Sequence, residues 1–201
     1  MATEKLLLEA GAPQNYLGHD EIIQVADPAI RSLAQQLRQE SDNETAFATA
    51  AFEWVRDNVG HSNDVQDPRV TLTATEVLEA RVGLCYAKSH LLAALLRSEG
   101  IPTGLCYQRL VDRDSFVLHG LVAIYLEGSW HRQDPRGNKV GVDAEFSLGS
   151  ERLAWPVDPA LGEIDYPQVF ASTAACVVDT LRGATNVLDL LDGGLPRALD
   201  A

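Results

Sequence analysis

From Ala87 to Leu96 the chain offers almost no polar face. Leu91, Leu92, Leu95 and Leu96, with Ala87, Ala93 and Ala94, favour a helix and make it apolar on most sides, so protein has to enclose it. Whatever fold forms must be wrapped around this helix. Gly100 suits its C-terminal closure and Pro102 forbids continuation. At the other end Gly83 interrupts the chain, so Cys85 falls in the first turn, where unpaired N–H groups and the positive end of the helix dipole point outward. That placement favours a thiolate, the form of cysteine that attacks carbonyl carbon. It equally suits a small core hydrophobe, the usual state of a free cysteine.

The segments ahead of this helix read as further helices. Asp27-Pro28 supplies an N-cap and a first-turn proline, with Ile30, Leu33, Ala34 and Leu37 along one face. Ser41-Asp42-Asn43-Glu44 has the form of a capping box, followed by Phe47, Ala50, Ala51, Trp54 and Val55 at helical spacing. Residues 61–71 are polar and irregular and read as a surface loop, in which His61 is a solvated side chain or a cleft residue. Thr73-Ala74-Thr75-Glu76 is a second capping box.

Beyond the central helix the period changes to two. Residues 103–110 and 116–126 read as strands joined by Asp112-Arg113-Asp114-Ser115, and 130–134 as a third. A strand at 5–8, a turn at Gly11-Ala12-Pro13, a helix from Asp165-Tyr166-Pro167 through Val169 and Phe170, another over 174–182 and a short amphipathic tail at 187–192 complete the reading. The expected architecture is α+β, helices packed on an antiparallel sheet with the cysteine at the start of the central helix. A length of 201 residues with 46% hydrophobic content supports a single domain over 1–201, its core at 41–137, with helical N-terminal and C-terminal extensions.

The strands carry polar groups that need partners. His119 shares a strand face with Val117, Leu121 and Ala123. If Glu127-Gly128 is a two-residue turn, Leu126 pairs with Ser129 and Asp134 falls opposite Leu121, diagonal to His119. Diagonal neighbours lie roughly 7–8 Å apart, within side-chain reach, whereas a one-residue slip would send Asp134 to the other face. Cys85, His119 and Asp134 then supply nucleophile, base and orienter, with the Cys85 backbone N–H as one oxyanion donor. Taken singly, His119 reads as a satisfied core histidine and Asp134 as a turn residue before Pro135.

Charge and cysteine usage narrow the classes. A formal net charge of −13 without a basic run argues against nucleic acid or an anionic membrane as partner. No eighteen apolar residues occur together, and the N-terminal apolar run is too short for a signal peptide, so the cytoplasm is the expected compartment. The three cysteines form no CxxC pair, and Cys85, Cys106 and His119 lack metal-ligand spacing. Neither metal nor cofactor is expected.

Gly83-Leu84-Cys85-Tyr86-Ala87 with Leu95-Leu96-Arg97 and Gly100-Ile101-Pro102, then Leu118-His119-Gly120 and Trp130-His131-Arg132-Gln133-Asp134-Pro135, resembles the core of the transglutaminase-like superfamily, circularly permuted relatives of papain-like cysteine proteases. The whole chain is similar to the small stand-alone bacterial members. The resemblance implies the fold already argued and gives Cys85, His119 and Asp134 the roles of nucleophile, base and orienter. Leu84 stands where crosslinking transglutaminases tend to carry Gln, and nothing resembles their extra β domains or calcium sites, so crosslinking is not implied. Tyr16, Asn15 and His61 are the candidates for a second oxyanion donor. The expected activity is cysteine-dependent acyl transfer or amide or peptide hydrolysis through a Cys85 acyl-enzyme, on a peptide, amide or acyl-thioester substrate. The alternatives are a thioester-dependent acyltransferase and a non-catalytic binding module on the same scaffold.

Overall fold

The computed structural model describes residues 6–199. Helix α1 spans Pro28–Gln39, and the Asp27 carboxylate accepts the Ala29 and Ile30 N–H groups at 2.8 and 3.2 Å. Helix α2, Glu44–Asn58, is capped by Asn43, which accepts from the Ala46 N–H at 2.9 Å. The box expected from Ser41 does not form, because the Ser41 hydroxyl donates back to Leu37 O at 2.8 Å and closes α1 instead. Helix α4, Ala74–Ala80, has the reciprocal capping box of Thr73 and Glu76.

The stretch expected to be an open loop is more ordered than its polarity suggests. Gly60–His61 forms a two-residue strand β1 that pairs in parallel with β2, Val82–Gly83, and a single helical turn α3, Ser62–Val65, follows β1. The polar side chains of Ser62, Asn63 and Asp64 give no sign of this order, because the pairing partner of β1 lies about twenty residues further along. Helix α5, Cys85–Ser98, is the enclosed central helix, buried from Cys85 through Arg97. Leu91, Leu92, Leu95 and Leu96 are fully buried, worth about 1.5–3 kcal/mol each against the extended chain. Gly100 closes the helix at φ 81°.

Three strands follow as a meander: β3 Thr103–Asp112, β4 Ser115–Leu126 and β5 Ser129–Gln133. A fourth, β6 Ile164–Asp165, pairs with the far side of β3, giving the order β5-β4-β3-β6. The helix expected from Asp165-Tyr166-Pro167 is absent. Asp165 faces Gln108 in the sheet and Phe170 bridges to Leu105, so strand pairing overrides the local capping signal. Likewise Leu6, Leu7 and Leu8 carry no strand, the pairing there being a bridge from Glu9 to Gln168, while Lys5 lies outside the described residues. Near the C-terminal end are α6, Ala175–Gly183, and α7, Val187–Leu190.

Helix α5 packs on one face of the sheet, against Leu118, Val122, Ile124 and Leu126 of β4, with Phe47 and Phe52 of α2 behind it. Cys106, Leu121, Ala123, Val169 and Tyr16 form a smaller cluster of their own. Buried Arg97 fastens three loops to the end of α5, donating to Gly18 O, Thr103 O and Ala171 O at 2.8 Å each. In the β4–β5 hairpin Leu126 faces Ser129 and Val122 faces Gln133. β5 ends there, so the β4 edge from 121 back to 115 has no strand beside it.

Candidate active site

That open edge lies against the start of α5. Leu84 is the N-cap and its side chain makes no cap hydrogen bond, so no cap side chain occupies the first-turn N–H groups. Gly83 fits here because a Cβ would stand 2.9 Å from Thr71 Oγ1 and 3.0 Å from Ala87 Cβ. Across the junction a Cβ on Gly120 would stand 2.7 Å from Tyr86 Cδ1 and 3.3 Å from Tyr86 Cα. Only the bare glycine lets β4 approach the helix this closely. The Gly120 N–H then points at Cys85 Sγ, 3.4 Å away, and the Tyr86 hydroxyl donates to Leu118 O.

His119 precedes that glycine and is buried. Its Nε2 lies 2.8 Å from Asp134 Oδ2, which leaves Nδ1 clear of that carboxylate, and the Cys85 side chain lies close enough to favour the charged imidazole. Asp134 is wholly buried and also accepts the Ala154 N–H at 3.0 Å and the Arg136 N–H at 3.1 Å. Burial disfavours the His119 charge, but Asp134 and Cys85 outweigh it and hold the imidazole up to about 10. Asp134 shows the mirror image: burial raises its carboxyl, yet His119 and the two backbone donors keep it below the usual range. The pair is therefore an imidazolium and a carboxylate near neutral pH.

Several neighbours complete the site without having announced themselves in the sequence. The Trp155 ring meets the His119 ring edge-on, with centroids 5.1 Å apart, and the Arg136 guanidinium sits 5.1 Å from the Trp155 centroid. Buried Arg136 forks onto Asp64, Nη2 to Oδ1 at 2.9 Å, and Lys139 Nζ reaches the same Oδ1 at 2.8 Å. Lys88 projects from the second turn of α5 to donate to Arg56 O and Val59 O, just ahead of β1. Burial and then Arg136 push its ammonium down to about 7. Each of these contacts joins residues remote in sequence, which no local periodicity signals. No local signal flags Arg136, which follows Pro135 in a turn beyond the end of β5.

Cys85, His119, His61, Arg136 and Trp155 line one cleft of ≈ 400 Å³. His61 belongs to it because the β1–β2 pairing sets His61 opposite Gly83. Burial, then Arg136, push its imidazole down to about 3, so it is neutral, and its Nδ1 has no partner. Tyr16 and Asn15 do not line the cleft. The Tyr16 hydroxyl is committed to Val169 O at 3.0 Å and to the Gly11 N–H at 2.9 Å, its ring packs on Trp130, and Asn15 is exposed beside it. Cys106 is sealed in the smaller cluster, where burial pushes its thiol up to about 12. A broader depression of ≈ 650 Å³ over the start of α2 is lined by Asn43, Glu44, Thr45, Ala46, Thr49 and Glu127, with no cysteine or histidine among them. Among the described residues no cluster of three metal-ligating side chains occurs, and no helix is long and apolar enough to cross a membrane.

Helices packed on an antiparallel sheet make this a mixed α and β protein. More narrowly, the chain belongs to the transglutaminase-like superfamily, whose family model matches residues 31–135. A candidate cysteine protease from Cytophaga hutchinsonii superposes with a TM-score of 0.54 at 20% identity, over 66% of this chain and 46% of that one. The periplasmic domain of TgpA from Pseudomonas aeruginosa, bound to ethylmercury, gives 0.47 at 21% identity, over 61% and 48%. The chain thus covers about half the length of either structure. No curated protein matches it.

Proposed function

We propose that the protein is a cysteine-dependent enzyme in which Cys85 attacks an amide or peptide carbonyl and forms an acyl-enzyme. The observation that carries this reading is that Cys85 and His119 line one cleft while the buried Asp134 carboxylate stands 2.8 Å from His119 Nε2. His119, held as an imidazolium by Asp134, keeps the sulfur anionic and protonates the leaving group. It then takes a proton from the water or amine that releases the acyl group. The first-turn N–H groups of α5 face the developing oxyanion, and His61, a half-buried residue of the cleft that is neutral and unpartnered on Nδ1, fits the second donor. Water needs no second binding site, which favours hydrolysis over transfer to an amine. The cytoplasm, a reducing compartment, would keep the Cys85 thiol available.

Alkylation of Cys85 by iodoacetamide from pH 4 to 9, with Cys85→Ala as blank, tests the reading without knowledge of the substrate. The rate should plateau well below the ordinary thiol pKa of about 8.5, and Asp134→Asn should lower the acid-side rate by about 10²-fold or more. A profile rising only near the ordinary thiol value would leave a non-catalytic binding module. Small amides, peptides and acyl-thioesters screened against the native chain and Cys85→Ala then separate hydrolase from acyltransferase.

A further inference from the structure

The β4 edge beside the cleft is already partly filled by the chain's own C-terminal segment. Along this edge the residues that face away from β3 alternate: Leu126, Ile124 and Val122 meet β5, and Gly120 and Leu118 follow in the same direction once β5 has stopped. The Gly120 N–H goes to Cys85 Sγ. The Leu118 N–H goes to Pro196 O at 2.7 Å, a ladder-type bond two residues from the sulfur contact. Leu191 and Leu195 line the same cleft as Cys85 and His119.

Few hydrogen bonds hold the segment, although Leu191, Leu195 and Leu199 pack against the main core and the Cys176 thiol meets Ala198 O at 3.9 Å. Gly194 and Leu195 N–H close α7 on Leu190 O, the Leu199 N–H reaches the Tyr166 hydroxyl at 3.4 Å, and Asp192 meets Arg113 in an exposed ion pair at 3.4 Å. Leu191 and Leu195 are only half-buried. An unpaired strand edge is the natural seat for an extended peptide, whose main chain adds to the sheet while its side chains enter flanking pockets.

We infer that residues 195–199 are an intramolecular stand-in for an extended peptide substrate with apolar side chains, and that this strap, with the turn 191–194 that leads into it, must leave the β4 edge before such a peptide reaches Cys85. The inference rests on the reading of Cys85 as nucleophile and deepens it by naming the substrate as a peptide in extended conformation. The strap reduces the fraction of molecules able to bind, so loosening it raises the apparent affinity for peptide in proportion. A reagent too small to need the edge is unaffected.

The test compares two electrophiles on the full chain, iodoacetamide and a leucine-containing dipeptidyl fluoromethyl ketone, in wild type and in two variants of a strap residue outside the cleft lining, Leu199→Ala and Leu199→Asp. The peptidyl reagent should label Cys85 about tenfold faster in either variant, the factor expected when part of one leucine's burial is lost, while iodoacetamide labels all three alike. Unchanged or slower peptidyl labelling with normal iodoacetamide labelling overturns the strap and leaves the nucleophile intact, the slower result making the segment a wall of the binding site. Failure of iodoacetamide below the ordinary thiol range removes the nucleophile, and the stand-in with it. A measurement needing no variant is hydrogen exchange of the wild type. The Leu118 amide should exchange much faster than that of Ile124, which is held by β5, and equal protection of the two overturns the proposal.

Discussion

Replacing Gly120 with alanine adds one methyl group at the tightest junction of the site. Its carbon would lie 2.7 Å from Tyr86 Cδ1 and 3.3 Å from Tyr86 Cα, against an ordinary carbon–carbon contact of about 3.5–4.0 Å. The Tyr86 ring cannot simply swing aside, because its hydroxyl is bonded to Leu118 O on the same strand. Strand and helix start must therefore separate by roughly 1 Å, a deformation of the kind that overpacking makes cost about 1–3 kcal/mol. For a chain of this size each kcal/mol shifts the melting temperature by about 2–4 °C, so a drop of roughly 2–12 °C is expected. The same displacement carries His119 and the Gly120 N–H away from Cys85, and about 1 Å of misplacement costs on the order of 10²-fold in rate. Thermal melting and iodoacetamide labelling of Cys85 at pH 6 measure the two effects. A Gly120→Ala protein that melts within about 1 °C of wild type and labels at the same rate would refute the argument from close approach.

Two further outcomes follow from buried groups away from the sulfur. His90 donates from Nδ1 to Leu72 O at 2.7 Å and accepts the Thr173 hydroxyl at Nε2, and burial pushes it down to about 4. Because its folded pKa lies below the unfolded value of about 6.5, its stabilisation is complete above that value and is lost as pH falls toward 4, by roughly 3 kcal/mol. Urea midpoints at pH 7, 5 and 4 should fall, and His90→Gln should flatten the trend; an equally steep trend in the variant would rule His90 out as its source. His119 works in the opposite sense, its contribution present below about 6.5 and lost as pH rises through about 10. Arg97→Lys cannot reproduce the fork onto the buried Thr103 O and the more exposed Gly18 O and Ala171 O, and losing these bonds costs about 1–3 kcal/mol. Limited proteolysis should then cut first near residues 18 or 171, and an unchanged digestion pattern would show that the fork ties down neither loop.

What the sequence disclosed was whatever neighbouring residues decide among themselves. Asp27-Pro28, the Thr73–Glu76 box, the closure at Gly100 and the Glu127-Gly128 turn are all short-range physics, and each lies where its residues place it. The turn mattered most, because a two-residue loop sets the hairpin register and with it the approach of Asp134 to His119. Where two local signals competed, at Ser41 and Asn43, the hydrogen bond from Ser41 to Leu37 O decided the cap. What stayed hidden required two distant segments at once: β6 against β3, Arg136 against Asp64, Lys88 against the end of α2, and His61 beside Gly83. His61 and Asp64 read as parts of a surface loop, with the place of His61 left open, because their partners lie 22 and 72 residues away.

The register of the β4–β5 hairpin also bears on how chains of this kind can drift in length. Inserting or deleting one residue at Glu127-Gly128 would turn every β5 side chain to the opposite face, uncoupling Arg132 from Glu151 and Asp165 and carrying Asp134 away from His119. The irregular run between Pro135 and Ile164 is under no such parity rule, apart from the positions where Ala154 and Glu151 touch these groups. Length variation among descendants of this sequence should therefore accumulate in that run and stay out of the hairpin.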